Sequence, residues 1–294
     1  MQGTVWAGML CTGTMDKLGK IVYENPELAY KYRGKVVVPP LQMVDDILTV
    51  SKCGTTSIAM NNLVNVFMNS KKLYLNTSKC SKIHIGKKCD NCPKLMVHNE
   101  EMKISDQEKY LGDIVHKNGK PHATIVERIS KGYGILSNIV ALINEVPLGH
   151  RRIEIGLELR QAWLLNGILY NSEVWQKLTE KDKNDLNKMD HILLREILGA
   201  QAKVPIEQLY LETATLPVEK IISMRRMIYL QTILQREEGE LIRKIFLEMR
   251  SDPEKDDWCE LVRSDFENIN LKMSDLQIQD MNPTQYKSLI KKNN

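Results

Sequence analysis

The stretch Pro39–Val50, PPLQMVDDILTV, sets two carboxylates, Asp45 and Asp46, inside an otherwise apolar run. The flanking LQMV and ILTV segments read as strands, and the Asp pair reads as the polar tip between them. Neighbouring side chains in a strand point to opposite faces, so two adjacent Asp converge only where the chain turns. The pattern therefore predicts a tight hairpin with the carboxylates at its tip, beside a cleft. Two anions held that close repel unless a cation lies between them, and hard oxygen donors suit Mg²⁺. The plainer reading is that Asp-Asp is simply a good turn. The order of the surrounding features decides between the two.

Upstream, GKVVVPP is a β-branched run stopped by a proline pair, which predicts a short strand and a break. Downstream, TSIAMNNLVNVFMNSKK places Ile58, Leu63, Val64 and Phe67 near helical spacing. KLYLNTSKCSKIHIGKK returns to alternation with a turn near Asn76, and QEKYLGDIV is a further short strand candidate containing a glycine. From about Pro121 the period changes. Ile125, Ile129, Leu136, Ile139, Val140 and Ile143 share one helix face, broken at Pro147 and Gly149. RRIEIGLELRQAWLLNGILYNSEVW reads as one long buried helix, with Trp163, Tyr170 and Trp175 as core anchors rather than base-stacking platforms. Thr179 is the expected N-cap of the next helix. The segment starting at Val218 reads as an amphipathic helix with a basic face, and Trp258 and Phe266 as pins of a terminal helix.

The 294 residues are enough for one large domain or two modest ones. With 43% hydrophobic and 27% charged residues the chain reads as globular rather than disordered. A net charge of +4 permits a nucleic-acid partner without demanding one. Six cysteines without a disulfide framework, no basic n-region before the first apolar run and no run of membrane-spanning length predict an intracellular protein, nuclear or cytoplasmic, with no membrane partner.

With these segments in order, the chain resembles the reverse transcriptases of non-LTR (LINE-type) retrotransposons. QGTVWAGMLCTGTMDKLGK resembles the Gln-Gly segment and following helix of the polymerase palm. QMVDDILTV resembles its X-x-Asp-Asp hairpin, here Met43-Val44-Asp45-Asp46. Asn76 and Lys79 match the Asn-x-x-Lys arrangement, and QEKYLGDIV resembles the Lys-Tyr-Leu-Gly hairpin that grips the primer end. WLLNGILYNSEVW, NKMDHILLREIL and LYLETATLP with RRMIYLQTIL resemble thumb and post-thumb helices. The resemblance implies an α+β chain. Residues 1–120 would be a partial palm, a short antiparallel sheet with helices. Residues 121–200 would be a helical thumb, and 201–294 a C-terminal helical extension. It implies RNA-directed DNA polymerase (nucleotidyltransferase) chemistry by two-metal phosphoryl transfer, with RNA template, DNA primer, dNTP and Mg²⁺. Asp45 and Asp46 would be the metal ligands. Lys79 would sit near the triphosphate as a catalytic cation, and Gln2, Gly3 and Asn76 would contact nucleotide or template.

The family's third carboxylate lies on a strand before the Gln-Gly segment, and the sequence starts inside that segment. Asp16 reads as a solvated helix charge rather than a replacement. This chain by itself is therefore expected not to polymerise DNA, and its unpaired sheet edge is expected to favour aggregation or a partner. The other function class is a non-catalytic helical remnant that binds nucleic acid or protein.

Two further patterns stand apart from the Asp pair. The run from Lys71 to Lys88 holds six lysines and no acid, and with Arg225, Arg226, Arg236 and Arg243 it makes candidate phosphate contacts, or else an ordinary solvated face. His84, Cys89, Cys92 and His98 form His-x4-Cys-x2-Cys-x5-His, a donor set for a structural Zn²⁺, or else a loop with two free thiols.

Overall fold

A computed structural model of the chain describes residues 5–86, 93–252, 254 and 257–294. These form an α+β architecture of helices and small two-stranded sheets, divided into two compact units. The first unit holds residues 1–108, 116–119 and 239–248, and the second holds the remainder.

In the first unit, α1 (Val5–Glu24) buries Met15, Leu18 and Val22, spaced three and four apart as one helix face requires. β1 (Tyr30–Tyr32) and β2 (Val36–Val38) pair antiparallel, as do β3 (Leu41–Met43) and β4 (Asp46–Leu48). Pro39 and Pro40 separate the two hairpins. Neither has an N–H to donate, so the ladder stops there. α2 (Gly54–Ser70) presents Met60, Val64, Phe67 and Met68 on one face. Val64, Phe67 and Met68 close over Met15 and Leu18, and Ile47 packs against the same cluster. That contact seats the β3–β4 hairpin on the helices.

The rest of this unit is short ribbons. β5 (Ser81–Lys82) runs parallel to β8 (Lys103–Ile104), and β6 (Met96–Val97) pairs antiparallel with β7 (Glu100–Glu101). The expected single antiparallel sheet is thus replaced, among the described residues, by separate two-stranded pieces. Strands of two to four residues interrupted by turns cannot extend a common ladder. The glycine expected inside one strand at QEKYLGDIV instead lies in a turn, between β9 (Gln107–Tyr110) and β10 (Asp113–His116).

The second unit is a helical assembly around one core. α3 (His122–Asn144) buries Ile125, Leu136, Ile139 and Ile143, four of the six expected stripe positions, and Ile129 and Val140 are partly buried beside them. α4 (His150–Leu159) continues through a π-helical segment, Arg160–Leu165, into the short α5 (Asn166–Ile168). α6 (Glu180–Leu198) starts at Thr179. Its hydroxyl accepts from the Asp182 N–H while the Asp182 carboxylate accepts from the Thr179 N–H, a reciprocal cap. α3 and α6 approach closely because position 132 is glycine. A Cβ there would stand 2.8 Å from Met189 Sδ and 2.8 Å from Ile168 Cγ2. α7 (Ile206–Thr213) and α8 (Val218–Leu234) complete this core through Leu209, Val218, Ile221 and Ile222. α9 (Leu241–Ser251) belongs to the first unit through residue 248, and in the second α10 (Trp258–Asn268), α11 (Asp275–Asp280) and α12 (Pro283–Asn293) follow. Buried Gln231 on α8 donates to the carbonyls of Ile278 and Met281, and the buried Tyr286 hydroxyl on α12 donates to the Met227 carbonyl.

Two expectations are corrected here. The segment 151–175 is not one buried helix. It leaves helical geometry after Ile168, Asn171 is left-handed at φ 58°, and a 3-10 turn covers Ser172–Val174. Only Trp175 is a core anchor; Trp163 and Tyr170 are 46% and 49% exposed. The π turn adds a residue to the helical register, so a 3.6-residue reading points the wrong side chains inward. The expected basic face on α8 is also absent at two of its arginines. Arg226 is buried against Asp265 on α10 at 3.0 Å, and Arg225 donates to the Leu169 carbonyl. Arg243 on α9 is buried beside the Phe246 ring. Guanidinium groups taken out of water need internal partners, and Arg225 and Arg226 have them within the unit. Among the described residues, no helix is long and apolar enough to cross a membrane.

Candidate functional site

Asp45 lies in the connection between β3 and β4, and Asp46 is the first residue of β4. Met43 pairs with Asp46, so Val44 and Asp45 are the two central residues of the turn. Val44 has φ 56°. Positive φ at the first central residue is the mark of the primed turns that match hairpin twist, and Gly or Asn normally supplies it. A β-branched residue there is a genuine outlier. The turn is held from beneath by α1, which packs on β3 and whose Cys11 Sγ donates to the Val44 carbonyl at 3.1 Å. Strand alternation sends Ile47 toward the α1–α2 core and its neighbour Asp46 away from it, and Asp45 and Asp46 are both exposed.

Among the described residues, no group of three His, Cys, Asp or Glu is placed to hold a metal ion. Asp16 is exposed on α1, five positions beyond Cys11 and therefore roughly 140° around the helix from it. It is a solvated charge. A Mg²⁺ that keeps most of its octahedral shell as water or substrate phosphate commonly uses one or two protein carboxylates, which is the most that Asp45 and Asp46 could offer it. They do not by themselves fit a closed two-metal cage.

The other expected site residues are dispersed. Gln2 and Gly3 lie outside the described residues. Asn76 caps a 3-10 turn, Thr77–Lys79, where its Oδ1 accepts from the Ser78 N–H at 3.1 Å and the Ser78 hydroxyl at 2.7 Å. Lys79 is the last residue of that turn and is exposed. Of the lysine run, Lys71 and Lys72 are both exposed, Lys71 with its ammonium over the Phe67 ring, Lys82 donates to the Pro93 carbonyl, and Lys87 and Lys88 lie outside the described residues. In the Cys/His set, Cys89 and Cys92 also lie outside them. His84 is half-buried, and His98 occupies the β6–β7 turn at φ 48° with its ring 5.9 Å from that of Tyr74.

A second constellation was not anticipated. In the helical unit, Arg128 on α3 reaches the turn between β9 and β10. Its Nη2 donates to the Gly112 carbonyl at 2.7 Å and to Asp113 Oδ1 at 3.0 Å. Its Nη1 donates to the Gly167 carbonyl on α5 at 3.2 Å. The guanidinium also lies 5.1 Å from the Tyr170 ring centroid. Asn171 Nδ2 donates to the other Asp113 oxygen at 2.8 Å, and Thr124 Oγ1 accepts from the Ile114 N–H at 2.8 Å. The sequence does carry one signal for this cluster. Arg128 falls on the buried side of α3, three residues after Ile125 and four before Gly132, where a charge is out of place without a partner.

Compared with known proteins, the sequence matches no family model and no curated protein, and the fold matches no solved structure.

Proposed function

We propose that this chain carries the metal-binding hairpin and the thumb of a LINE-type reverse transcriptase, an RNA-directed DNA polymerase of a non-LTR retrotransposon. The observation that carries the reading is the β3–β4 turn. Two adjacent carboxylates stand exposed on a hairpin whose backbone is at φ 56° at a β-branched residue, Val44, and is tied from below to α1. Strained backbone of this kind persists only where the surroundings over-determine it, and it clusters at functional sites. The order of the remaining elements supports the same reading: a capped turn with Asn76 and Lys79, then a tight Leu-Gly hairpin, then a helical unit.

In this reading Asp45 and Asp46 would be the residues that hold Mg²⁺. The ion, when bound, supplies charge stabilisation for nucleotidyl transfer from a dNTP to the primer 3′-hydroxyl. Lys79 offers an exposed ammonium to the triphosphate. Asn76 has its Oδ1 committed to Ser78, so its contact to a sugar or phosphate oxygen comes from the Nδ2 donor. Gln2 and Gly3 support the nucleotide or template. No third carboxylate converges on the pair among the described residues. The reading expects extension of an RNA-templated DNA primer when a carboxylate-bearing palm segment is supplied alongside this chain.

The test is primer extension by the purified chain, with and without such a segment added in trans. Extension that appears only with the segment and vanishes in Asp45→Ala supports the reading. Extension unaffected by Asp45→Ala sinks it. The same lack of a third carboxylate favours a second reading, a non-catalytic remnant that binds nucleic acid or protein through its helices. Tight, salt-dependent RNA binding without extension under any complementation selects that alternative.

A further inference from the structure

We propose that Tyr74, flanked by Lys71 and Lys72 and by the His98 turn, is a base-stacking platform for single-stranded nucleic acid. The platform needs neither a metal nor the polymerase reading above, so its failure and the failure of primer extension are separate results.

The end of α2 fixes where these side chains stand. The Lys72 N–H donates to the Asn69 carbonyl at 3.0 Å and the Leu73 N–H to the Met68 carbonyl at 2.9 Å, with Lys72 left-handed at φ 55°. This is the pairing of a Schellman helix end, whose left-handed position is usually glycine. Lysine there carries a steric cost that glycine avoids. Leu73 and Leu75 then pack on the cluster of Val64, Phe67 and Met68, and Tyr74 between them is turned out, 83% exposed.

Single exposed apolar residues are ordinary on a protein surface. The surroundings set this one apart. Asn61 and Asn65 on α2 each donate to the Met96 carbonyl at 2.8 Å, which ties the β6–β7 hairpin to the helix. The turn of that hairpin carries His98, whose ring stands 5.9 Å from that of Tyr74 and is tilted 43° to it. The imidazole steadies the phenol ring and leaves most of it open. Lys71 and Lys72 are exposed, and among the described residues neither enters an ion pair. No acid occurs between Lys71 and Gly86. On the hairpin, Glu101 is paired with Lys94 at 3.0 Å and Glu100 is exposed.

An open aromatic ring beside unpaired ammonium groups fits a ligand that carries a flat π-face a short reach from a phosphate. Every nucleobase has that face and every nucleotide linkage that charge. In a duplex the base faces are covered by their neighbours, so the ring selects a single strand. An acidic peptide would satisfy the lysines and leave Tyr74 without a partner.

The probes are fluorescein-labelled oligouridylate, alone and annealed to oligoadenylate, titrated with the full chain. Wild type is expected to bind the single strand more tightly than the duplex. Tyr74→Ala should weaken single-strand binding about tenfold, the loss of one base stack, with duplex binding unchanged. Tyr74→Phe keeps the ring and should bind as wild type does. Lys71→Ala combined with Lys72→Ala should flatten the slope of log affinity against log salt by about 1.4, two phosphate contacts on a single strand. Bromouridine in the strand should photocrosslink to the peptide that holds Tyr74, which decides the matter in the wild-type chain if Tyr74→Ala does not fold. A crosslink confined to other peptides overturns the inference. So does a folded Tyr74→Ala protein that binds the single strand normally or loses both probes equally. A wild-type chain that binds no single strand, or releases it to oligoglutamate as readily as to unlabelled oligouridylate, overturns it too.

Discussion

Arg160 and Asp190 meet through two parallel hydrogen bonds inside the helical unit, Nε to Oδ1 at 2.6 Å and Nη2 to Oδ2 at 2.7 Å, with both side chains closed to solvent. The same Nη2 donates to the Leu216 carbonyl at 3.1 Å, and the Tyr210 hydroxyl lies 3.4 Å from Asp190 Oδ2. His191 Nε2 lies 3.0 Å from that hydroxyl. Burial, with the Asp190 charge adding to it, pushes the Tyr210 phenol well above its ordinary range, so Tyr210 stays a neutral donor to the carboxylate. The network ties the π-helical segment to α6 and α7.

Removing one partner strands the other charge in a dry core. Asp190→Leu or Arg160→Met should each cost about 3–5 kcal/mol of unfolding free energy. The double variant Arg160→Met, Asp190→Leu should recover most of that loss, because a buried pair is often no better than apolar groups of similar volume. Urea denaturation of the three proteins decides it. Additive losses in the double variant would show that the pair is not the relevant unit.

A second prediction concerns acid. Burial acts to raise the Asp182 pKa, but hydrogen bonds from the Thr179 hydroxyl, His122 and the Thr179 backbone, with the His122 charge, outweigh it and hold the carboxyl below its ordinary value. The geometry is tight: 2.6 Å from the Thr179 hydroxyl and 2.7 Å from His122 Nδ1. With the folded pKa depressed, the unfolded chain takes up its proton first as pH falls. The stabilisation is therefore fully present above about pH 4, the unfolded carboxylate value. It declines as pH drops through the folded pKa. Asp182→Asn should flatten that part of the stability–pH profile and cost about 1–2 kcal/mol at neutral pH through the weakened cap. A wild-type profile already flat between pH 5 and pH 2 would contradict the assignment.

Thiol chemistry offers a third. Cys53 is exposed at the start of α2, and hydrogen bonding to the Thr56 side chain and backbone lowers its pKa. Burial raises that of Cys80. Since the thiolate is the nucleophile, iodoacetamide at pH 7.5 should label Cys53 faster than Cys80. Thr56→Val should slow Cys53 and leave Cys80 unchanged. Peptide mass spectrometry over a time course reads both rates, and equal rates in wild type would refute the ordering.

The fold was legible wherever structure is local. The apolar–Asp-Asp–apolar pattern located the β3–β4 hairpin, the spacing from Ile125 to Ile143 located α3, and Thr179 located the start of α6. The misreadings come from partners distant in sequence. Nothing between Arg160 and Leu165 announces a π turn. The residue that anchors it, Asp190, lies thirty positions on. Arg226 looked like part of a basic face because Asp265, 39 positions away, gives no sign that it is the counter-ion. The candidate site divides the same way. The Asp pair is a contiguous signal, whereas the Arg128 clamp draws on Gly112, Asp113, Gly167 and Asn171 from three separate segments.

The last prediction returns to the carboxylate turn. Val44 is held at φ 56°, a conformation that costs a non-glycine residue roughly 1–2 kcal/mol. Glycine adopts it freely, and Val44 is exposed, so replacement forfeits little packing. Val44→Gly should therefore leave stability unchanged or raise it by up to about 1 kcal/mol. Glycine within an ordinary strand costs about 0.5–1 kcal/mol, so Gly at Met43 on β3 is the matched control and should destabilise. If the strain serves to hold the two carboxylates in place, relief has a second consequence. In the complemented primer-extension assay, Val44→Gly should lower kcat while Tm holds or rises, because a glycine tip no longer fixes Asp45. A Val44→Gly protein that is both less stable and fully active would show that the left-handed valine is neither strained nor functional.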